Sequence, residues 1–405
     1  MKSAIKVGML SYSFYESDNR VRRYAEELVR QGIAVDVFAL RRENQRDYNE
    51  LNGVRIFRIQ KRIRNERGKS TFLFRILKFF FKSALALTRM QLNQPYNIIH
   101  VHSVPDFEVF AATIPKIFGA KVILDIHDIV PEFYAAKFNM GKETITYKIL
   151  VLIEKLSTSF ADHVIISNDL WKNTICSRSV RSEKCTSIIN YPDQKIFFRR
   201  NVKPNKNKFV FMYPGTLNHH QGLDLAIEAF QKIRNIISGA ELHIIGDGPA
   251  KSKLGQLVKQ YQLETRVFFK DTVPLENIAD IMASANVGII PKRNDSFGGE
   301  AFSTKSLEFM SLGVPVIISR TKIDQHYFNN SQVRFFEPEN IDDLSDAMLD
   351  LAFNPLKITK ISENALKFAQ INSWNLKKKI YLRIINDLIG GTSSNNGQRI
   401  PGNAL

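Results

Sequence analysis

Residues 298–318 read GGEAFSTKSLEFMSLGVPVII, and this stretch decides the fold of the second half of the chain. Ser303 or Thr304 is a suitable N-cap residue, so the pattern predicts a helix that begins there. Gly313 suits the position after its last turn, and Pro315 cannot continue it. The apolar residues that follow predict a buried strand. A loop, a helix and a strand in this order are typical of a parallel α/β sheet.

Two carboxylates flank the start of this helix, because Glu300 lies in the loop before it and Glu308 in its second turn. A helix N-terminus presents free N–H groups and a partial positive charge that favour phosphate. Gly298 and Gly299 let the backbone approach a ligand closely, and Lys305 adds a cation. The pattern predicts a diphosphate at the helix start, with a carboxylate on each side to bind sugar hydroxyls. A capped surface helix with two solvated glutamates is the alternative that local chemistry leaves open.

Outside this stretch, short apolar runs alternate with helical patterns in both halves of the chain. The predicted strands are 5–10, 34–40, 54–59, 97–102, 121–127 and 163–167, followed by 208–215, 240–246, 266–269, 285–291 and 314–319. Such alternation predicts two parallel sheets, each covered by helices on both faces. Charge rises and regular patterning fades over 177–208, where we expect a domain boundary. Two such domains would form a cleft at the carboxyl ends of their strands, the usual ligand site.

The composition favours a globular protein with an anionic partner. The 405 residues include 57 Lys and Arg against 40 Asp and Glu, a formal net charge of +17. Nucleic acid, lipid headgroups and phosphorylated substrates are candidate partners, but no nucleic-acid-binding motif accompanies the charge. Cys176 and Cys185 form no CxxC pair, so we expect a reducing, cytoplasmic compartment and no zinc site. We find no signal peptide and no run of about 18 apolar residues that would predict a membrane span.

Residues 55–82 combine ten basic residues with a single acidic residue, Glu66, and are rich in phenylalanine towards their end. Aromatic side chains enter the headgroup zone of a bilayer and cations meet its phosphates, with each basic residue contributing about 1 kcal/mol. The segment predicts peripheral contact with an anionic membrane surface, at the inner face of the membrane. A helix that packs on the core and exposes a solvated basic face is an equal alternative.

Polar side chains end two predicted strands of the first half. His102 ends one strand, His127 ends another, and Asp128 follows His127 directly. Residues just beyond a buried strand are well placed for ligand binding, and Asp128 is suited to orient or charge the imidazole. A structural histidine at such a turn is an equal alternative. His127, Asp128 and Glu132 have the chemistry to hold a metal ion, but no further ligand cluster accompanies them, so we expect no metal.

Taken together, these segments resemble the retaining glycosyltransferases of family 4, which have the GT-B fold. The two glutamates match the E-x7-E motif of that family. FMYPGTLNHHQGLDLAIEAF (211–230), AELHIIGDGPAKSKL (240–254) and VFFKDTVPLENIADIMASANVGIIP (267–291) resemble its donor domain. KCTSIINYPDQKIF (184–197) is similar to the end of its first domain, and SWNLKKKIYLRIINDLI (373–389) to its last helix. The resemblance covers nearly the whole chain.

The resemblance implies an α/β architecture of two Rossmann-like domains whose parallel sheets face a central cleft. An acceptor-binding domain would span 1–198 and a nucleotide-sugar-binding domain 199–372. The helix at 373–389 would then cross back to the first domain. Residues 390–405 are polar and rich in Gly and Asn, which predicts a disordered tail.

The resemblance also implies a function: transfer of a sugar from a nucleotide sugar, with UDP favoured, to a glycan or lipid-linked acceptor with retention of configuration. His127 and Glu300 would be catalytic and close to the donor sugar, and Glu308 would bind the ribose. His102 and Asp128 would lie on the acceptor side. The other donor-binding residues that it implies are Gly215, Thr216, Gln221, Gly246, Phe302, Ser303, Thr304 and Lys305. The chain has no Asp-x-Asp motif, so we expect no metal and no cofactor. Bacterial surface-polysaccharide assembly is the implied setting.

Two positions depart from the family pattern. Family members commonly have an Arg and a Lys on the diphosphate where this chain has Thr216 and Gln221. Hydrogen bonds from such cations typically contribute about 1.5–3 kcal/mol each. We favour Lys305 as the replacement; the other candidates are His219, His220, Lys292 and Arg293. A non-catalytic nucleotide-sugar-binding partner of a transferase and a sugar-nucleotide epimerase are the alternative functions.

Overall fold

The computed structural model describes residues 5–62, 69–138, 140–200, 202 and 207–390, without the side chains of 69–72 and 276. The chain divides into two compact units. Unit 1 comprises the described residues up to Asn190 together with those from Lys378 onward, and unit 2 comprises Tyr191–Lys377. Residues 63–68 of the basic segment and the tail after 390 lie outside the described residues.

The described part of unit 1 contains eight strands. They are β1 Lys6–Ser11, β2 Ala34–Arg41, β3 Tyr48–Leu51, β4 Val54–Lys61, β5 Ile98–Ser103, β6 Lys121–Ile126, β7 His163–Ile166 and β8 Cys185–Ser187. The helices that connect them are α1 Asn19–Arg30, α2 Lys69–Asn93, α3 Thr113–Ile117, α4 Val130–Phe138, α5 Ile145–Phe160 and α6 Asp169–Arg178. Short 3₁₀ helices span Tyr15–Ser17, Asp106–Ala112 and Ser182–Lys184.

The strands of unit 1 form one sheet in the order β3-β4-β2-β1-β5-β6-β7-β8. Every pairing is parallel except that of β3 with β4. Every residue of β1 and β5 is buried, as expected of strands covered on both faces. The chain moves from β1 to β2 in one direction and from β5 through β8 in the other. The direction of winding therefore reverses between β1 and β5, and ligands bind beside such a reversal.

Unit 2 contains six strands in its described part. They are β9 Phe209–Pro214, β10 Ala240–Ile245, β11 Val267–Lys270, β12 Val287–Ile290, β13 Val316–Ser319 and β14 Arg334–Phe336. The helices are α7 Leu223–Ile233, α8 Lys251–Gln260, α9 Leu275–Ala283, α10 Thr304–Leu312, α11 Lys322–Tyr327, α12 Ile341–Phe353 and α13 Pro355–Ile371. A 3₁₀ helix spans His219–Gln221. The sheet is parallel throughout, in the order β11-β10-β9-β12-β13-β14.

The last helix, α14 Trp374–Gly390, starts in unit 2 and belongs to unit 1 from Lys378 onward. Tyr381 is fully buried there, and its hydroxyl lies 3.0 Å from Nδ1 of His100 in β5. Its ring centroid lies 4.2 Å from that of Tyr24 in α1. Lys378 Nζ donates to a carboxylate oxygen of Glu27 at 3.0 Å. The predicted return of the last helix to the first unit is therefore confirmed.

The α/β class and the two largely parallel sheets are also confirmed, but two elements of unit 1 differ from the prediction. Residues 106–118, whose periodic pattern predicts one helix, begin as the 3₁₀ helix Asp106–Ala112 and become α-helical only at Thr113. Pro115 explains this difference, because it has no N–H to donate one turn back. Strand β3 was not predicted, since its sequence YNEL is polar and largely exposed. No helix in the described part of the chain is long and apolar enough to cross a membrane.

A glutamate of unit 1 has a buried carboxyl group. Glu108 in the 3₁₀ helix Asp106–Ala112 is 1% exposed. Within the described part of the chain, neither of its carboxyl oxygens has a hydrogen-bond partner. Burial raises the pKa of Glu108 to about 8. The folded protein therefore binds a proton at this residue that the unfolded chain, with an ordinary glutamate pKa near 4.3, releases.

The Glu108→Gln variant should become more stable than the wild type as the pH rises. Below about pH 4.3, Glu108 is protonated in both the folded and the unfolded state. Between that pH and about 8, only the folded state keeps the proton, so the free energy of unfolding of the wild type falls as the pH rises. Across that window the free energy of unfolding of the variant should gain on that of the wild type by up to about 1.4 kcal/mol per pH unit. Urea unfolding between pH 5 and 9 measures this difference. The exposed Glu264→Gln serves as the control. A difference independent of pH for Glu108→Gln would contradict the assignment.

Candidate functional site

Two glycines close the carboxyl ends of β9 and β10 in unit 2. Gly215 follows β9 with φ 137°, and Gly246 follows β10 with φ 149°, conformations that favour glycine. A Cβ atom on Gly246 would lie 1.9 Å from the carbonyl oxygen of Gly215. The backbones of the two strand ends therefore pack directly against each other. Because both residues are glycines, no side chain at these positions covers this edge of the sheet.

The N-terminus of α10 offers hydrogen-bond donors for an anion. Its N-cap residue Ser303 has an extended backbone, and its side chain makes no capping hydrogen bond. In the described structure the buried Oγ of Ser303 has no hydrogen-bond partner. Helix geometry leaves the N–H groups of Thr304 and Lys305 without intrahelical acceptors, whereas the Ser306 N–H donates to the carbonyl oxygen of Ser303 at 3.2 Å. Phe302 precedes the cap and packs its ring 4.9 Å from that of Tyr327. Such a helix end has the hydrogen-bond donors that suit an anion.

Lys305 brings a cation from this helix to Gly215. A Cβ atom on Gly215 would lie 2.3 Å from Cε of Lys305 and 3.1 Å from its Nζ, so the lysine fills the space that the glycine leaves. The ammonium lies 5.3 Å from the ring centroid of Tyr213 in β9. Burial lowers the pKa of Lys305, Glu308 opposes that shift, and Lys292 adds to it. The favoured replacement for the family's cations thus lies beside one of the predicted phosphate-binding glycines.

The two neutral positions, Thr216 and Gln221, are held by the hydroxyl group of Tyr213. That hydroxyl lies 2.9 Å from Oε1 of Gln221 and 3.1 Å from the carbonyl oxygen of Thr216. Gln221 is half-buried, and the side chain of Thr216 is exposed. These contacts fix the loop after β9, where the family pattern places its cations.

Of the other candidate cations, Lys292 and Arg293 are engaged in ion pairs within the unit, and His219 is exposed on the 3₁₀ helix His219–Gln221. Lys292 is 4% exposed and donates to the carbonyl oxygen of Ala301 at 2.7 Å. It also lies 2.8 Å from the Asp324 carboxylate. Arg293 pairs with Asp224. Burial lowers the pKa of His220, which favours its neutral form. Lys305 therefore remains the best placed of the candidates.

The pair of Lys292 and Asp324 fixes the loop that carries Glu300. Lys292 follows β12 and Asp324 lies in α11 after the adjacent strand β13, so the pair ties two strand ends together. The loop is also held where the Ile323 N–H donates to the carbonyl oxygen of Gly299 at 3.0 Å. Burial lowers the pKa of Lys292 and raises that of Asp324, while their mutual attraction opposes both shifts.

The two glutamates lie where the sequence predicts. Glu300 precedes α10, and Glu308 is half-buried in the second turn of that helix. The side chain of Glu300 is 24% exposed, and its Oε1 lies 2.6 Å from Nζ of Lys322 in α11. One carboxylate therefore precedes the helix N-terminus and the other follows it.

In unit 1, three histidines surround one carboxylate near the carboxyl edge of the sheet. Oδ2 of Asp125 lies 3.1 Å from Nδ1 of His102, 3.3 Å from Nε2 of His127 and 3.9 Å from Nε2 of His100. His102 and His127 are themselves 3.4 Å apart at their ring nitrogens. Asp125, His100 and His102 are buried, whereas the side chain of His127 is 25% exposed. The two histidines predicted at strand ends do come together.

Arg20 in α1 neutralises the buried carboxylate. Its Nε and Nη2 donate to the two oxygens of Asp125 at 2.8 and 2.7 Å, and its Nη1 donates to the carbonyl oxygen of Ile188 at 2.7 Å. Burial alone would raise the pKa of Asp125, but Arg20 and then His127 hold it well below its usual range. The site therefore contains an ionised carboxylate inside the protein.

Burial also sets the protonation of the buried histidines. It lowers the pKa of His102, although Asp125 opposes the shift. It lowers the pKa of His100 further, and the hydroxyl of Tyr381 lies 3.0 Å from Nδ1 of that ring. Both rings are therefore neutral near pH 7.

Asp125 is the carboxylate in close contact with His127, with its Oδ2 3.3 Å from Nε2. The sequence interpretation named Asp128, which interacts with the imidazole through its charge. Asp128 is half-buried, and burial raises its pKa while His127 opposes the shift. Sequence reasoning missed Asp125 because it lies inside the apolar run of β6. The strand register could have revealed it, since Asp125 lies directly opposite His102 in the pairing of β5 with β6. Arg20 was missed because α1 carries several other charges.

The sequence suggested His127, Asp128 and Glu132 as possible metal ligands, but Glu132 is hydrogen-bonded to other side chains. Its Oε2 accepts from Arg178 at 2.9 Å and its Oε1 from the hydroxyl of Tyr147 at 2.7 Å. These contacts hold Glu132 in a network between helices, so it is not free to join His127 and Asp128.

A different set has the spacing of metal ligands among the described residues. Donor atoms of His100, His102 and Asp125 lie within 4.8 Å of one another. The guanidinium of Arg20 already takes both oxygens of Asp125. A cation would have to displace that guanidinium or accept its repulsion at close range. The donor set therefore fits a buried hydrogen-bond network better than a metal centre.

Solved structures share this two-unit fold. Sucrose-phosphate synthase from Thermosynechococcus elongatus superposes with a TM-score of 0.80 at 17% identity, over 96% of this chain and 100% of that chain. HepE of Anabaena, solved in complex with UDP and glucose, gives a TM-score of 0.71 at 14% identity, over 94% and 99%. At these identities the likeness shows the fold alone, which is the GT-B fold.

Sequence comparisons then give the family. An uncharacterized glycosyltransferase of Methanocaldococcus jannaschii is 25% identical over 78% of this chain and 80% of its own length. The O-antigen biosynthesis glycosyltransferase WclY of Escherichia coli is 25% identical over 59% and 65%. A family model described as "Glycosyl transferase 4-like domain" matches residues 17–190, and one described as "Glycosyl transferases group 1" matches 194–368. The chain belongs to the family 4 glycosyltransferases and is an enzyme of that class.

The ion pair of Arg20 and Asp125 should show strong coupling in a double-mutant cycle. Arg20→Gln and Asp125→Asn should each lower the free energy of unfolding by about 3–5 kcal/mol, because each leaves a buried charge without its partner. The double variant should lose less than the sum, with a coupling towards the upper end of the roughly 0.5–3 kcal/mol found for contacting residues. Urea unfolding of the four proteins measures it. Additive losses would contradict the described geometry.

Proposed function

We propose that the protein is a retaining glycosyltransferase that moves a sugar from a nucleotide sugar to a glycan or lipid-linked saccharide acceptor. The observation that carries the proposal is the N-terminus of α10 with Lys305 packed on Gly215. Helix-end N–H groups, the buried Ser303 hydroxyl and a lysine cation together suit a diphosphate. UDP is the favoured nucleotide, and the complex of HepE with UDP and glucose supports that choice.

In this proposal the donor lies along the carboxyl edge of the sheet in unit 2. The first N–H groups of α10 donate to the diphosphate, and Gly215 and Gly246 let the backbone approach it. Glu308 accepts hydrogen bonds from the ribose hydroxyls. Glu300 accepts them from sugar hydroxyls near the reacting carbon, and its contact with Lys322 orients its carboxylate.

The proposed reaction breaks the bond between the anomeric carbon and the diphosphate oxygen. The acceptor hydroxyl attacks that carbon on the face from which the diphosphate leaves, so the configuration is retained. The new glycosidic bond forms as the old bond breaks, and the departing phosphate oxygen takes the proton of the acceptor. The helix dipole of α10 and Lys305 stabilise the leaving charge and are oriented before the reaction begins. The proposal therefore needs neither an enzymic nucleophile nor a metal.

Unit 1 contributes His127 as the second proposed catalytic residue, with a hydrogen bond to the donor sugar or to the developing charge. Asp125 is its positioning residue, since the carboxylate contacts Nε2 of His127. The Ser167 hydroxyl also holds the backbone of His127, donating to its carbonyl oxygen at 2.7 Å. His102 and Asp128 are proposed on the acceptor side.

The setting that we propose is surface-polysaccharide assembly, at the cytoplasmic face of an anionic membrane. The name of the relative WclY supports the polysaccharide setting. The described part of 55–82 supports the membrane contact, because α2 exposes Phe74 and Phe81 at 67% each. A cavity of about 930 Å³ between α2 and β4 has several cations in its lining, which are Arg41, Arg58, Lys61, Arg75, Lys78, Lys82 and Arg89. Exposed aromatic rings beside such cations match an anionic headgroup layer.

Glu300→Gln should abolish most of the transfer while the fold is kept. The amide retains the shape but loses the charged acceptor that the donor sugar needs, so kcat should fall about 100-fold or more. The assay is release of nucleoside diphosphate from a panel of nucleotide sugars, with and without a membrane lipid extract that supplies acceptors. Glu264→Gln, an exposed glutamate of the same unit, should leave the rate unchanged.

The same assay separates the alternative functions. Donors that bind without any release under all acceptor conditions would favour a non-catalytic binder. Conversion of the donor sugar without release of nucleoside diphosphate would point to an epimerase. Wild-type rates in Glu300→Gln would contradict the proposed role of that residue.

Lys305→Met should weaken the diphosphate site, because it keeps the apolar stem and removes the cation. A charged hydrogen bond of about 1.5–3 kcal/mol predicts a fall in kcat/KM of about 10–150-fold and weaker UDP binding in calorimetry. Lys253→Met, an exposed lysine of α8, is the matched control. Adding Thr216→Arg restores a cation where the family usually has one and should recover part of the UDP affinity. An unchanged affinity in Lys305→Met would remove Lys305 from the donor site.

A further inference from the structure

Helix α5 of unit 1 buries polar residues and exposes apolar residues. Its buried residues are Tyr147, Glu154, Ser157 and Thr158, which are all polar. Its most exposed apolar residues are Ile145, Ile149, Leu152 and Leu156, with exposures of 77%, 51%, 54% and 53%. These four residues, here named the α5 stripe, are spaced by four, three and four positions. They therefore share one face of the helix. A surface helix in water normally has the opposite polarity.

The orientation of α5 is fixed by an ion pair under its buried face. Glu154 is fully buried and accepts from Nε and Nη2 of Arg178 at 2.8 and 2.6 Å. The hydroxyl of Tyr147 donates to Glu132, which also pairs with Arg178. Turning the helix to hide the stripe would separate these buried charges, which is strongly unfavourable. The stripe is therefore held outward by the fold itself.

Aromatic contacts connect α5 with α2. The 3₁₀ helix Asp106–Ala112 lies between these two helices. Its Phe107 ring packs 6.0 Å from Phe80 of α2, and its Phe110 ring packs 5.2 Å from Phe160 of α5. At the end of α3, Ile117 and Phe118 are 72% and 61% exposed. The exposed apolar side chains of α2, α3 and α5 thus belong to one helical layer on one side of the sheet.

The charges around the α5 stripe select its partner. Lys142, Lys148 and Lys155 are exposed near it, whereas Glu154 is buried on the other side of the helix. The exposed Glu143 lies 3.8 Å from Lys148, so the three lysines and this one acid leave the surface with a net positive charge. A second copy of the chain would bring the same net charge of +17, so self-association is opposed by repulsion. An anionic bilayer supplies what both features need, because its acyl boundary accepts apolar side chains and its headgroups attract lysine.

We propose that the α5 stripe, with Ile117 and Phe118, inserts into the headgroup boundary of an anionic bilayer. Unit 1 then meets the membrane through α5 as well as α2. This inference rests on the proposed function in one respect, because it extends the membrane contact of α2 to a second helix.

Vesicle binding by the full chain tests the proposal. The double variant Ile149→Glu with Leu152→Glu should bind phosphatidylglycerol–phosphatidylcholine vesicles about tenfold or more weakly than the wild type, since two buried apolar contacts are lost. Its melting temperature should not change, because both side chains are half exposed. Leu356→Glu with Ile371→Glu, on exposed positions of α13, is the matched control and should bind as the wild type does. Wild-type binding by the α5 variant would overturn the inference.

A fluorescence measurement tests insertion directly. The native Trp171 and Trp374 are each 2% exposed, so they add little lipid-dependent signal. The indole introduced by Leu152→Trp should shift to shorter wavelength and be quenched by brominated phosphatidylcholine mixed with phosphatidylglycerol. Leu356→Trp should show neither effect. Equal emission with and without vesicles for Leu152→Trp would overturn the inference.

A third variant separates this inference from the proposed function. If Phe74→Glu with Phe81→Glu in α2 loses vesicle binding and the α5 variant does not, the inference fails and the α2 contact stands. If the α5 variant instead converts a dimer to a monomer in sedimentation velocity, the stripe is a protein interface and the inference is overturned. Transfer to a soluble acceptor should persist in the α5 variant, and its absence in the wild type would count against the proposed function alone.

Discussion

The buried ion pair of Arg20 and Asp125 is the contact on which the site of unit 1 depends. Two charges removed from water are tolerated only where geometry and further hydrogen bonds compensate for desolvation. The two parallel bonds of the guanidinium meet that condition, and its third donor reaches Ile188 just after β8. Helix α1, strand β6 and the end of β8 are thereby fixed together. With its charge matched, the carboxylate can serve as a common partner for His102 and His127.

Unit 2 also has a buried ion pair near the carboxyl ends of its strands, formed by Lys292 and Asp324. A second lysine, Lys305, is the one proposed to bind the donor. Lys292 is committed to Asp324 and to the loop before α10, so its charge holds structure. Lys305 packs its ammonium on a glycine and an aromatic ring, and Glu308 is the carboxylate that acts on it. Burial makes an ammonium costly, and in the proposed donor site a diphosphate would relieve that cost. In the proposed donor site, the cation that the loop at Thr216 lacks comes from the helix that also supplies the N–H donors.

The sequence predicted the elements whose ends are marked by local chemistry. Helix α10 has its N-cap at Ser303 and a left-handed Gly313 after its last turn, and both could be predicted from residue type. The parallel sheets followed from apolar runs of strand length. Asp125 could not be found in this way, because an ionised residue in a buried strand requires a partner from a distant helix. The 3₁₀ turn before Pro115 and the polar strand β3 depend on packing and pairing that a periodic pattern does not record.

Helix α5 shows a further limit of periodicity. An apolar stripe on a helix predicts a buried face, because in water that face normally turns inward. The periodic pattern alone, however, does not show whether the apolar face or the polar face of the helix meets the core. Here Glu154 decides, since its carboxylate pairs with Arg178 inside the unit, and the stripe is left outside as a consequence. A buried charge with a fixed partner can therefore outweigh several apolar side chains in orienting a helix. The apolar side chains then face whatever surface the protein meets.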